Sequence, residues 1–200
     1  MKLFEKSLLC GLIFSILLSI VGFSGQCENI SKKVFRLHII ANSDSVEDQE
    51  LKLKVRDRIL SQTQDLFNIA DSKYDAKKIT EENLNKIIQI AQDEVYANGY
   101  NYPVCAKVTN MHFNTRRYDN FVLPAGRYDA LRIEIGKSEG KNWWCVMFPP
   151  LCVSTAQENK KLEDVLSEDE FEITNNETEY ELKFKIIEWF EKIKDFFCTN

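Results

Sequence analysis

Histidine is scarce in this 200-residue chain: there are only two, His38 and His112. A catalytic or structural metal site normally draws on more ligands than that, and no CxxC pair or cysteine–histidine cluster makes up the deficit. The sequence also lacks a G-x-S-x-G elbow, a phosphate-binding loop and a dinucleotide fingerprint, which removes the common nucleotide-dependent and serine-hydrolase chemistries. Positive charge is short as well. Lys and Arg total 26 against 31 Asp and Glu, a formal net charge of −5. That balance argues against a nucleic-acid partner, which needs a basic footprint to displace counterions. No cofactor and no metal are expected.

What is present is an ordinary globular mix, 44% apolar and 28% charged. A chain of this length can bury one core and still carry a targeting segment and an appended element. The targeting segment is plain. Lys2 and Lys6 precede Leu8 to Phe23, a run without charge. A positive start followed by an apolar stretch is an export signal. Gly22 and Ser24 place small residues at −3 and −1 of a cut before Gly25, and an uncleaved anchor is the alternative. Gln26 stands where a lipoprotein needs a small residue before Cys27, which argues against acylation there.

Of six cysteines, Cys10 falls in the apolar run, leaving an odd five in the exported part. Cys145 and Cys152 flank Pro149-Pro150 and could close a disulfide if the prolines fold the chain back. Two buried free thiols are the other reading.

Along the chain, Phe35, Leu37 and Ile39 alternate with Arg36 and His38, as in a half-buried strand. Asn42-Ser43-Asp44 are turn and N-cap types opening a helix to about Leu66. Its apolar residues form two opposed stripes, Leu51, Val55, Ile59, Leu66 and Val46, Leu53, Leu60, Phe67, as for a helix held between two surfaces. A polar link from Asp71 to Lys78 leads to a second helix from Thr80 to Asn98-Gly99. Strands follow over Val104 to Phe113, Leu131 to Ile135 and Trp143 to Phe148. The last two are read as a hairpin, with the strand that is apolar on both faces placed centrally. Ala156 to Glu181 holds ten acidic residues and reads as a solvated linker.

The expected fold is therefore α+β: a two-layer sandwich with helices on one face of a mainly antiparallel sheet. Its order is β-α-α-β-β-β, plus a C-terminal amphipathic helix. Residues 1–27 would be signal or anchor, 30–155 the folded domain, 156–181 the acidic linker and 182–197 the helix. Arg36, His38, Arg132 and Glu134 would lie on the sheet face away from the helices, exposed to water.

Two segments are distinctive: His38 to Asp57, which includes Ile39-Ile40-Ala41-Asn42-Ser43-Asp44-Ser45, and Gly140 to Cys152, which includes Trp143-Trp144-Cys145-Val146-Met147-Phe148-Pro149-Pro150. In this order, behind an export segment and with Arg127 to Ile135 between them, they resemble the stage II sporulation protein R family of endospore-forming bacteria. The resemblance implies a protein made in the forespore and exported into the space between the two membranes. There it would trigger a membrane-embedded aspartic protease of the mother cell, which trims an early mother-cell pro-sigma factor. It implies a signal, not a catalyst.

The rival reading is an envelope cysteine hydrolase or transpeptidase. His38 would be base to Cys145 or Cys152, with Asp44 as orienter. A thiol on a buried strand is a poor nucleophile, because burial raises its pKa. For partner binding, the candidates are His38, Asn42, Asp44, Arg127, Lys141, Asn142, Trp143 and Trp144. The turn is fixed from both sides, and tryptophan is a favoured interface anchor.

Overall fold

The computed structural model describes residues 3–118, 120–151, 162–175 and 177–198. Thirteen elements follow in order: α1 (Leu3–Lys33), β1 (Phe35–Ile40), α2 (Val46–Asn68), α3 (Lys73–Glu82), α4 (Leu84–Ala97), β2 (Val104–Phe113), β3 (Arg116–Arg117), β4 (Val122–Leu123), β5 (Gly126–Ile135), β6 (Asn142–Phe148), α5 (Leu162–Val165), α6 (Glu168–Asn175) and α7 (Glu177–Cys198). They fall into two compact units. One comprises Met1–Ser31, His112–Arg127 and Ser167–Asn200; the other comprises Lys32–Met111 and Tyr128–Leu166.

The second unit is built on a four-stranded sheet of order β2-β5-β1-β6. β1 runs parallel to β5, with Leu37 opposite Leu131, and antiparallel to β6, with Leu37 opposite Cys145. β2 runs antiparallel to β5. Gly136 N donates to Pro103 O at one end of that pair, and Asn110 reaches Asp129 at the other. The α+β class, the mainly antiparallel sheet and the C-terminal helix are as expected from the sequence.

Two expectations fail together. β5 and β6 are not a hairpin, because β1 lies between them, and β6 is an edge strand, not a central one. Its apolar character on both faces comes from burial of each face and does not require a neighbour on each side. Phe35, Leu37, Ile39, Leu131, Ile133, Ile135, Cys145 and Met147 join Leu51, Val55 and Ile59 of α2 and Ile87, Ala91 and Val95 of α4 in one core. The two stripes of α2 are thus explained in part: Leu51, Val55 and Ile59 enter this core and Leu60 packs at its edge, whereas Val46 is exposed.

The second predicted helix is two. Ser72 caps α3 by accepting from Asp75 N, so order begins inside the stretch expected as a polar link, and Asn83 ends α3 where α4 starts. Lys73 and Lys77 of α3 then reach Asp129 on β5 at 2.7 and 3.5 Å. The end of α4 is as read: Gly99 adopts φ +80, its N–H donates to Tyr96 O, and Tyr100 N donates to Val95 O, a Schellman ending.

In the first unit, β3 and β4 form a short antiparallel ladder, Arg116 opposite Leu123 and Arg117 opposite Val122. The acidic stretch is not simply a solvated linker, since α5 and α6 form within it. Ser167 N donates to Glu170 Oε2 at 2.8 Å while Glu170 N donates back to Ser167 Oγ, a capping box that starts α6. Leu162, Leu166 and Ile173 are buried. Residues 152–161 lie outside the described residues.

Candidate functional site

Because β1 separates β5 from β6, the chain from Gly136 to Lys141 must step across two strand spacings, roughly 10 Å. It does so over the end of β1, and this crossing builds the site. Glu139 N donates to Asn42 O and Gly140 N to Ala41 O, at 3.2 and 3.0 Å. Lys137 N donates to Asn42 Oδ1 at 3.0 Å, and Lys141 N to Asp44 Oδ1 at 2.6 Å. From α2, Lys52 Nζ donates to Lys141 O at 3.0 Å and to Gln49 Oε1 at 2.5 Å. The β1–α2 turn and the β5–β6 loop are therefore one latched structure.

Two glycines make the crossing possible. A Cβ at Gly140 would collide with the Ser43 carbonyl oxygen and crowd Ala41. Gly136 sits at φ +59, where a Cβ would strike the Asn42 carboxamide.

Asp48 anchors the latch from below. It is 4% exposed. Its Oδ2 accepts from Asn42 Nδ2 at 2.7 Å and from Ser43 Oγ at 2.6 Å. Burial pushes this carboxyl up, but the donors from Ser43, Asn42 and Tyr102 outweigh it and hold the group below the ordinary aspartate range. Lys52 is pulled below the usual lysine range, chiefly by burial; Asp44 opposes the shift while Arg56 and Lys141 add to it.

The N-cap of α2 is Ser45, whose Oγ accepts from Asp48 N, and not any of Asn42, Ser43 or Asp44. The sequence alone suggests turn and cap roles for those three. Their side chains instead tie the turn to Asp48 and to the crossing loop.

The sheet face away from the helices is not the wet face expected. Arg36 is fully buried and His38 is 3% exposed, while Arg132 and Glu134 are half-buried. Arg36 lies over the Tyr128 ring at 4.9 Å. His38 stacks on Trp144, centroids 4.0 Å apart and planes within 3°, and its Nε2 lies 2.8 Å from Asn142 Oδ1. Glu134 pairs with Arg132 at 2.6 Å.

Of the predicted binding residues, the latch gathers Asn42, Asp44, Lys141 and Asn142, with Trp144 and the buried His38 beneath Asn142. Asp44, Lys141 and Asn142 are exposed, and both tryptophans are half-buried. Trp143 points to the helix side, where Arg56 covers its ring at 4.4 Å. Arg127 is exposed but lies at the opposite end of β5 from the loop, so it does not join this cluster. The residues that sequence reading missed are Asp48, Lys52, Gly136 and Gly140. An Asp three residues past a Ser cap looks like ordinary dipole chemistry, which hid its second role.

The hydrolase geometry does not form with Cys145. Leu37 is its register partner, which places Cys145 on the helix side, whereas His38 faces the other way. Cys145 is also disulfide-bonded, so it is not one of two free thiols. Its partner sulfur is not among the described side chains, and Cys152 lies outside the described residues. No cluster of three or more His, Cys, Asp or Glu able to hold a metal occurs among the described residues.

A pH dependence follows from the carboxylates. Asp129 is likewise held low: burial raises it, but Lys73, Asn110 and Lys77 more than compensate. Groups whose folded pKa lies below the unfolded value, about 4 for aspartate, add stability above that pH and lose it as pH falls further. Unfolding free energy should thus be steady near neutrality and drop from about pH 5 downward. Denaturant melts across pH 7 to 2.5 check this, and Asp48→Asn should flatten the acid limb. An acid limb of equal steepness in that variant would remove Asp48 as a source.

A family model described as stage II sporulation protein R matches residues 31–158, which include the whole latch. The curated stage II sporulation protein R of Bacillus subtilis (strain 168) is 34% identical over 181 residues, covering 80% of this chain and 81% of that protein. No solved structure matches. With both matches spanning most of the chain, it belongs to the stage II sporulation protein R family, a family of sporulation proteins.

Proposed function

We propose that the chain is an exported sporulation signal that activates a membrane-embedded aspartic protease of the mother cell. That protease would then process an early mother-cell pro-sigma factor. The observation that carries the reading is the family match across residues 31–158, which holds both distinctive segments and the latch that joins them. It is supported by α1, a helix long and apolar enough to cross a membrane, which suits delivery out of the forespore. The contact surface would be the exposed rim of the latch: Asp44, Lys141, Asn142 and the accessible part of Trp144. A rigid rim of this kind costs little ordering on binding.

The cysteine-hydrolase reading finds no support in Cys145, which is bonded and turned away from His38.

The experiment is complementation of a sporulating strain that lacks this chain, reading precursor processing by immunoblot. The full chain should restore processing. Asp44→Asn keeps the oxygen that accepts from Lys141 N but removes the charge. It should melt normally and reduce processing at least several-fold. Normal melting with normal processing would move the contact surface off the latch. No processing difference between the deletion and the complemented strain would overturn the function itself.

A further inference from the structure

We infer that the N-terminal helix is retained as a membrane anchor, because its stem is built into the fold. The inference rests on the export reading and decides between cleavage and anchoring. α1 has 31 residues and so runs about 46 Å, longer than the roughly 30 Å hydrocarbon core. Its two halves differ. Before Gly22 most of the described large apolar side chains are exposed, with Leu8, Phe14 and Val21 at 66%, 63% and 69%. Water does not tolerate such a stripe, and a bilayer does. Beyond Gly22 the pattern reverses: Phe23, Cys27 and Ile30 are 4%, 3% and 0% exposed.

The walls around Phe23 come from α7, in the same compact unit. Phe23 stacks on Tyr180 with centroids 5.6 Å apart and planes within 8°, and it meets Phe184 at 5.5 Å and 57°. Lys183 Nζ lies 5.4 Å from the same ring. The cleavage point read from the sequence, before Gly25, therefore lies about two turns inside the C-terminal end of a continuous helix and beside a buried aromatic. Proteolysis favours locally unfolded backbone, and this segment is held in the helix although Gly25 itself is exposed. A cut there would also carry Phe23 away and leave the faces of Tyr180 and Phe184 bare. The apolar segment is thus read as the membrane part of one helix whose extramembrane part α7 clamps, so the signal would be tethered and not diffusible.

The test uses the full chain in protoplasts of a Gram-positive host. Three quantities are read: intact mass, partition after a carbonate wash, and labelling of Cys105, a free and exposed thiol, by a membrane-impermeant maleimide. The expected species carries residues 1–24, stays with the membrane and is labelled at Cys105. A soluble species that begins at Gly25 and is labelled would overturn the anchor and leave export standing. A full-length membrane species with unlabelled Cys105 would overturn export, and the inference with it. The doubly substituted Tyr180→Ala, Phe184→Ala chain removes the clamp without touching the cleavage residues. Its released fraction should rise at least several-fold; no rise would overturn the clamp as the cause of retention.

Discussion

Asp48→Ala is expected to lower unfolding free energy by about 3 kcal/mol, the upper range for taking a charged acceptor away from two half-buried donors at once. The reason is geometric. Asn42 Nδ2 and Ser43 Oγ converge on one carboxylate oxygen, and both donors belong to the turn that receives the crossing loop. Alanine leaves them without an acceptor in a place where the aspartate itself is only 4% exposed. For a chain of this size the melting temperature should fall by roughly 6–12 °C. Asp48→Asn retains shape and one accepting oxygen, so a smaller loss is expected, near half. Thermal melts at pH 7 read both. A loss under 2 °C for the alanine variant would mean that water reaches the turn and replaces the carboxylate.

Gly140→Ala should be comparably damaging, about 3 kcal/mol, toward the upper end for overpacking. Its added methyl would meet the Ser43 carbonyl oxygen, which is backbone, and the backbone is held there by Gly140 N donating to Ala41 O. Relief therefore requires breaking the crossing. Gly136→Ala offers a useful contrast. Its collision is with the Asn42 side chain, so adding Asn42→Ala should relieve the clash though not the strain of a positive φ. No side-chain change should rescue Gly140→Ala. Urea denaturation of the single and double variants separates the two cases, and rescue of Gly140→Ala by shortening Ala41 to glycine would place the conflict on the side chain instead.

Much of this fold was legible because it is written in local periodicity. The alternation of Phe35, Leu37 and Ile39 gives β1, and Leu51, Val55 and Ile59 give the core stripe of α2. Asn98-Gly99 gives the end of α4. What escaped was pairing between segments distant in sequence. Nothing in residues 126–148 says that β1 inserts between β5 and β6, because register information resides in the partner strand. The two glycines flanking the loop were the available sign, since a six-residue connection is long for a hairpin. Candidate residues were found where the sequence is distinctive, but their roles were not. Asn42 and Asp44 looked like caps because caps use the same side chains. His38 looked solvent-facing because alternation marks a face without saying what covers it. The Ser167–Glu170 box was present in the sequence and was obscured by the surrounding acidic run.

Exposure at the latch sets what a partner can read. Asp44 offers one free carboxylate edge while its other oxygen holds Lys141 N, so its position is fixed before any encounter. Asn142 stands over His38, which is itself held flat against Trp144. Trp144→Ala should therefore loosen His38 and Asn142 together, whereas Trp143→Ala should act on the helix side, where Arg56 lies.

The most direct measurement is reconstitution of the mother-cell protease and its pro-sigma precursor in vesicles, with and without this chain on the non-cytoplasmic side. Precursor cleavage should appear only when the folded chain is present, and should drop at least several-fold with Asp44→Asn despite an unchanged melting temperature. Equal cleavage in its absence, or cleavage by the chain when the protease is left out, would contradict a signalling role.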